Sequence, residues 1–167
     1  MPRTFALALC AALALGAPAL ADPSPDHPGE EMVKPYVQSD ANADTKPMQG
    51  QGVFLAFHGK DGVARIADTV VDKGSKDPRI AEIFKGQDLV RLKRTLAEQI
   101  CYVLGGPCAY TGRDMRSAHA DLGVQDADFN ALVEDLQWAM AREGVPFRAQ
   151  NKLLAKLAPM QRTVVQK

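Results

Sequence analysis

Apolar residues recur at helical spacing from Val53 onward, and before that point they do not. The strongest stripe is Leu89, Leu92, Leu96, Ile100 and Val103, five residues on one face of a helix opened by Asp88 as its cap. Gln99 falls on the same stripe and is its only polar member, while Arg91, Lys93, Arg94 and Glu98 lie outside or on the flanks. Upstream, Val63, Ile66, Val70 and Val71 predict a helix over Asp61 to Lys73, preceded by a short apolar piece, Val53 to Phe57. Asp77-Pro78 is a cap with proline in the first helical position, and it predicts a short helix reaching Phe84. Downstream, Asp126 caps a helix to Glu143 with Phe129, Leu132, Val133, Leu136 and Met140 inward, and Gly144 stops it. Pro146 opens a last helix carrying Phe147, Leu153, Leu154, Leu157 and Val164, broken at Pro159. No alternation of period two competes with these stripes. The pattern predicts an all-α domain over residues 53–167.

The first 52 residues read differently. Met1-Pro2-Arg3 carries one positive charge, Phe5 to Leu20 is almost wholly apolar, and Ala19-Leu20-Ala21 is a small-x-small cleavage site. Residues 1–21 are therefore expected to be a secretory signal peptide cleaved after Ala21, since the run falls short of the roughly 20 residues of a membrane span. The mature chain should be periplasmic or secreted, with no membrane attachment after cleavage. Asp22 to Gly52 is rich in proline, aspartate and glycine and poor in large apolar residues, which predicts a mobile leader or linker.

Charge and cysteine usage narrow the chemistry. Lysine plus arginine and aspartate plus glutamate stand at 20 each, so nothing draws the chain to nucleic acid or an anionic membrane. The three cysteines form no zinc pattern and no Cys-x-x-Cys-His motif, so covalent c-type haem attachment has no support. Cys101 and Cys108 flank a glycine turn; in an exported chain they would be either a structural disulfide or two separate thiols.

The segment Gly105 to Val124 organises the rest. Gly105-Gly106-Pro107 stops the long helix, Asp114 can cap a two-turn helix, and His119 sits on that helix with Met115 and Leu122 as apolar neighbours. Gly123 is placed to end it. By itself, a lone histidine on an apolar face reads more readily as a buried, hydrogen-bonded side chain than as a metal ligand. The ordered run Leu-Gly-Gly-Pro, Tyr-Thr-Gly-Arg-Asp-Met, then the histidine and Leu-Gly-Val, resembles the proximal segment of the group I truncated haemoglobins. The resemblance covers roughly His58 to Val164.

That resemblance implies a two-over-two helical sandwich binding haem b (iron protoporphyrin IX), with His119 as the axial iron ligand and a small diatomic ligand opposite. It places Phe84 on the haem face, Leu92, Leu96 and Val71 at distal positions, and Tyr110, Arg113 and Arg116 near the haem edge and propionates. Met115 and Phe129 complete the expected apolar contacts, and for the arginines a solvated basic patch is the alternative. Many relatives carry tyrosine and glutamine where this chain has Val71 and Leu96, so both distal hydrogen-bond donors are missing. Gln99 could reach in from one turn further along, or could simply bond to backbone. Rival functions are a haem enzyme turning over nitric oxide or peroxide, an electron-transfer or haem-delivery protein with an unknown redox partner, and a haem-free helical module. The enzyme needs polar groups where charge develops, and the distal positions do not supply them.

Overall fold

The computed structural model describes residues 27–166, and within them the chain is helical with no β-strand. The expected signal peptide, residues 1–21, lies outside this range. The helices are α1 Gly52–Ala56, α2 Gly59–Gly74, α3 Ala81–Phe84, α4 Leu89–Val103, α5 Met115–His119, α6 Asp126–Arg142, α7 Phe147–Leu157 and α8 Gln161–Val164. Short 3-10 turns cover Asp40–Ala43 and Ala158–Met160, the second at the break predicted for Pro159. Among the described helices none is long and apolar enough to cross a membrane.

Helix starts follow local chemistry. Asp88 Oδ1 accepts the Arg91 backbone N–H at 3.0 Å, as expected for the cap of α4. The start of α6 differs: the cap is Gln125 rather than Asp126, because the Gln125 N–H donates to Asp128 Oδ2 at 2.9 Å in a reciprocal capping box. Between α1 and α2 the chain reverses at His58, whose φ of 60° is left-handed. A side chain on Gly62 would lie 2.0 Å from the Phe57 carbonyl oxygen, so only glycine permits that tight join.

Two hydrophobic clusters result. The larger is built from the stripes of α1, α2, α4, α6 and α7, with Ile66, Ile100, Met140 and Leu153 wholly buried. Fully burying such side chains is worth roughly 1.5–3 kcal/mol each, which makes this cluster the main source of stability. The smaller gathers Ala43, Tyr110, Met115, Val124, Met160 and Val164. Tyr102 and Leu157 are half-buried at the margin of both. Leu132, expected inward, is instead exposed on the outer flank of α6, and Phe147, which opens α7 at a helix end, is exposed as well.

The mobile leader is corrected for residues 27–52. These residues run across the helices as a strap, and Ala43 is completely buried. Composition predicted mobility because the strap has few large apolar residues; polar bonds to the globular part hold it instead. Glu30 makes an ion pair with Arg94 on α4 at 2.5 Å. The Tyr110 N–H donates to Asp40 Oδ1 at 2.8 Å, and the Asn42 amide donates to the Gly112 carbonyl at 3.1 Å. Tyr36 donates its hydroxyl to the Thr111 carbonyl at 2.9 Å, and the Met48 N–H joins the Val103 carbonyl at 2.9 Å.

Candidate functional site

His119 closes α5, a helix of five residues that cannot persist alone. Asp114 caps it as predicted, its Oδ1 accepting the Ser117 N–H at 3.0 Å. At the other end the chain turns earlier than expected, at Asp121 with φ 66°, and not first at Gly123. The His119 carbonyl accepts a bond from the Gln166 side-chain amide, tying the end of α5 to the C-terminal segment. α5 also packs on α8.

The imidazole has one committed nitrogen. His119 Nδ1 lies 2.7 Å from the Met115 carbonyl oxygen, and because a carbonyl only accepts, Nδ1 carries the hydrogen. Nε2 is then the atom with the free lone pair, the state a metal-ligating histidine requires. Burial lowers the pKa of His119, and the Met115 carbonyl opposes this only in part, so the neutral ring is favoured.

A set of large apolar side chains is half-buried at the margins of the two clusters. Phe84, Leu89, Leu92 and Leu96 are half-buried against the larger cluster, while Ile83, Leu122 and Phe129 are half-buried against the smaller one. Adjacent residues of α3 thus serve opposite sides, Ile83 one cluster and Phe84 the other. Phe84 is seated on the end of α2, where a side chain at Gly74 would come within 2.9 Å of its ring. Side chains of this size, left half-covered beside the two clusters, are the candidate apolar cradle of the molecule. Among the described residues no cluster of three histidine, cysteine or acidic side chains could hold a bare metal ion. The half-covered apolar side chains and the free Nε2 of His119 fit a prosthetic group held by apolar contact and one imidazole.

The remaining expected site residues differ in their surroundings. Val71 is only 2 % exposed, inside the larger cluster, because its face of α2 packs on α4 and α6; it offers almost no surface to a pocket. Tyr110 is buried, and its hydroxyl donates to the Arg113 carbonyl at 2.9 Å, bracing the loop. Gly112 passes so close to that ring that a side chain there would lie 2.2 Å from the hydroxyl oxygen. Arg113 is half-buried with its guanidinium 5.3 Å from the centre of the Tyr36 ring, and Arg116 is exposed. Met115 is buried at the base of α5, as its apolar neighbourhood implied.

Gln99 resolves to the backbone alternative. It is buried, and its amide nitrogen donates to the Ala43 carbonyl at 3.4 Å, with Met115 Sδ at 3.2 Å and Met160 Sδ at 3.8 Å. Its donor is directed into the smaller cluster. Lys93 pairs with Asp72 of α2 at 2.7 Å. His58 bonds through Nε2 to the Glu143 carbonyl at 3.1 Å, at the far end of α6, and is exposed. Cys101 and Cys108 are disulfide-bonded, which decides between bridge and free thiols and pins the glycine turn to α4.

The strap contacts and the cradle residue Ile83 had no signal in the sequence. Each is a lone residue in a short element, where no stripe is long enough to show a face.

Comparison with known proteins agrees with this geometry. Residues 53–166 match the family model of the bacterial-like globins. The chain is 27 % identical over 109 residues to the group 1 truncated haemoglobin GlbN of Nostoc commune, covering 65 % of this chain and 92 % of that protein. It is 31 % identical over 108 residues to the group 1 truncated haemoglobin GlbN of Mycolicibacterium paratuberculosis, covering 65 % and 79 % of the two chains. The fold is similar to the crystal structure of the Fe(III) truncated haemoglobin of Tetrahymena pyriformis, with a TM-score of 0.66 and 22 % identity over 69 % of this chain and 98 % of that one. The chain belongs to the bacterial-like globins, and within them to the group 1 truncated haemoglobins.

Proposed function

We propose that this truncated globin binds haem b in the cradle between its two clusters, with Nε2 of His119 as the protein's ligand to iron, and that it holds small diatomic ligands there. The observation that carries the reading is the 2.7 Å contact from His119 Nδ1 to the Met115 carbonyl, which leaves Nε2 free on a neutral ring. Bound haem would supply an iron with an open position for oxygen, carbon monoxide or nitric oxide. Phe84, Leu92 and Leu96 would cover the group with apolar surface and exclude water, and Phe129 with Met115 would close the side of His119. With Gln99 turned toward Ala43, and Leu96 in place of a donor, oxygen would be held without a hydrogen bond. A donor to a charged partner is worth roughly 1.5–3 kcal/mol. Oxygen release should therefore be fast, and slow release in the native protein would overturn this part of the reading.

The test of the ligand is His119→Gly. Haem binding should weaken sharply and recover when free imidazole is added, as read from the optical spectrum of the ferric, ferrous and carbonyl forms. An unchanged spectrum would remove His119 from the role. We also propose that the protein is exported after cleavage at Ala21, which the Cys101–Cys108 disulfide supports because such bonds persist in oxidising compartments. Mass spectrometry of protein from its native host should find a mature chain beginning at Asp22; an intact Met1 in the cytosolic fraction would reject export.

A further inference from the structure

We propose that Gln99 is a positioning residue for His119, acting through Met115 and anchored on the strap. The inference rests on the reading that His119 holds the haem iron.

Gln99 stands on the apolar stripe of α4, and its amide turns into the smaller cluster. There its nitrogen meets three acceptors from three separate parts of the chain: the Ala43 carbonyl of the strap, Met115 Sδ of α5 and Met160 Sδ before α8. A primary amide has two N–H donors, and thioether sulfur is a weak acceptor, so one buried side chain can serve more than one of these partners. A polar group in a buried position is costly unless bonded, which makes the arrangement directional in a way an apolar contact is not.

The consequence runs through Met115. Its sulfur is held by Gln99 at 3.2 Å, and its carbonyl receives the His119 N–H at 2.7 Å. α5 has no length to define its own orientation, so the position of Met115 sets where the imidazole points. Ala43 adds a reference point from outside the globin span, since the family match starts at Val53. The strap and the long helix together therefore aim the ligand histidine. Leucine or methionine at position 99 would fill the space but would lack the donor.

The experiment uses the haem-loaded protein and two shape-conserving variants, Gln99→Met and Met115→Leu. In the ferrous form without added ligand, the iron–histidine stretching band by resonance Raman should shift in both. Haem transfer to an excess of a scavenging globin should speed up by roughly two- to tenfold, the worth of one ordinary hydrogen bond. The two changes should be non-additive in the double variant, because they break one connection. An unshifted band in Gln99→Met, or full additivity, would overturn the proposal. So would faster oxygen release with an unmoved band, which would return Gln99 to the distal face. Should Gln99→Met fail to fold, Met115→Leu alone carries the band measurement, and an unshifted band there overturns the proposal equally. His119→Gly separates the two levels: if that variant behaves as a ligand loss and Gln99→Met changes nothing, only the positioning role falls.

Discussion

The two halves of the molecule are held together by different physics. The larger cluster is made by long helices that bury continuous apolar stripes, Ile66 and Val70 on α2 against Ile100 and Val103 on α4. The buried members of the smaller cluster come from the short helices α5 and α8, the 3-10 turns at Asp40–Ala43 and Ala158–Met160 and loop residues, and it depends on polar and covalent ties. Those ties are the Glu30–Arg94 ion pair, the Asp40 and Asn42 bonds to the 110–112 backbone, and the Cys101–Cys108 bridge. The candidate ligand histidine stands in this second half. The first half should decide whether the chain folds, and the second how well His119 is presented. Damage to the second half should therefore show in cofactor retention before it shows in melting temperature.

The largest effect is expected in the first half. Ile100 is wholly buried on α4, and Ile100→Ala should cost roughly 2–5 kcal/mol by lost transfer energy and a residual cavity. Thermal or denaturant unfolding checks this, and the whole chain should melt earlier in one transition. A change confined to haem loss would break the comparison.

The bridge comes next. It closes a short loop, and the chain-entropy model assigns such a crosslink roughly 2–3 kcal/mol. Serine at both Cys101 and Cys108 should lower stability by about that amount or less and should also accelerate haem loss, since the loop leads directly into α5. Haem transfer measured with and without reductant would sharpen the point, and an unchanged transfer rate would place the loop outside the control of His119.

The smallest effect is expected at the strap, and it depends on pH. The Arg94 guanidinium bonded to Glu30 holds that carboxyl below its ordinary value of 4.5, against the opposing effect of burial. A carboxylate with a depressed folded pKa adds stability that is complete above its ordinary value. That stability is lost as the pH falls through the lowered one. Acid should thus loosen the strap below about pH 4.5, with haem loss rising in the same window. Glu30→Gln should remove roughly 1–3 kcal/mol at neutral pH and flatten this part of the acid response. An identical acid profile in the variant would show that the strap does not report through Glu30.

How much of this could be read before any coordinates follows from the same division. Long stripes announce a buried face, so α2, α4 and α6 were legible in position, in extent to within about two residues, and in the caps at Asp88 and Asp114. The segment around His119 was legible because residue types matched a known family in order. The strap was not, since its composition promised mobility and its contacts are single polar bonds to residues far along the chain. A helical stripe also says which residues face inward without saying what they meet. Val71 and Leu96 belong to similar stripes, yet one is sealed in the core and the other is left half-covered.

The sequence by itself determined the all-α class, the helix order and the candidate ligand, because periodicity, capping and the matched segment are local properties of the chain. Tertiary structure alone decided the direction of the Gln99 amide, the tautomer of His119 and the seating of the strap. Each depends on which distant carbonyl, sulfur or guanidinium comes within hydrogen-bond reach, and no spacing along one chain encodes that distance.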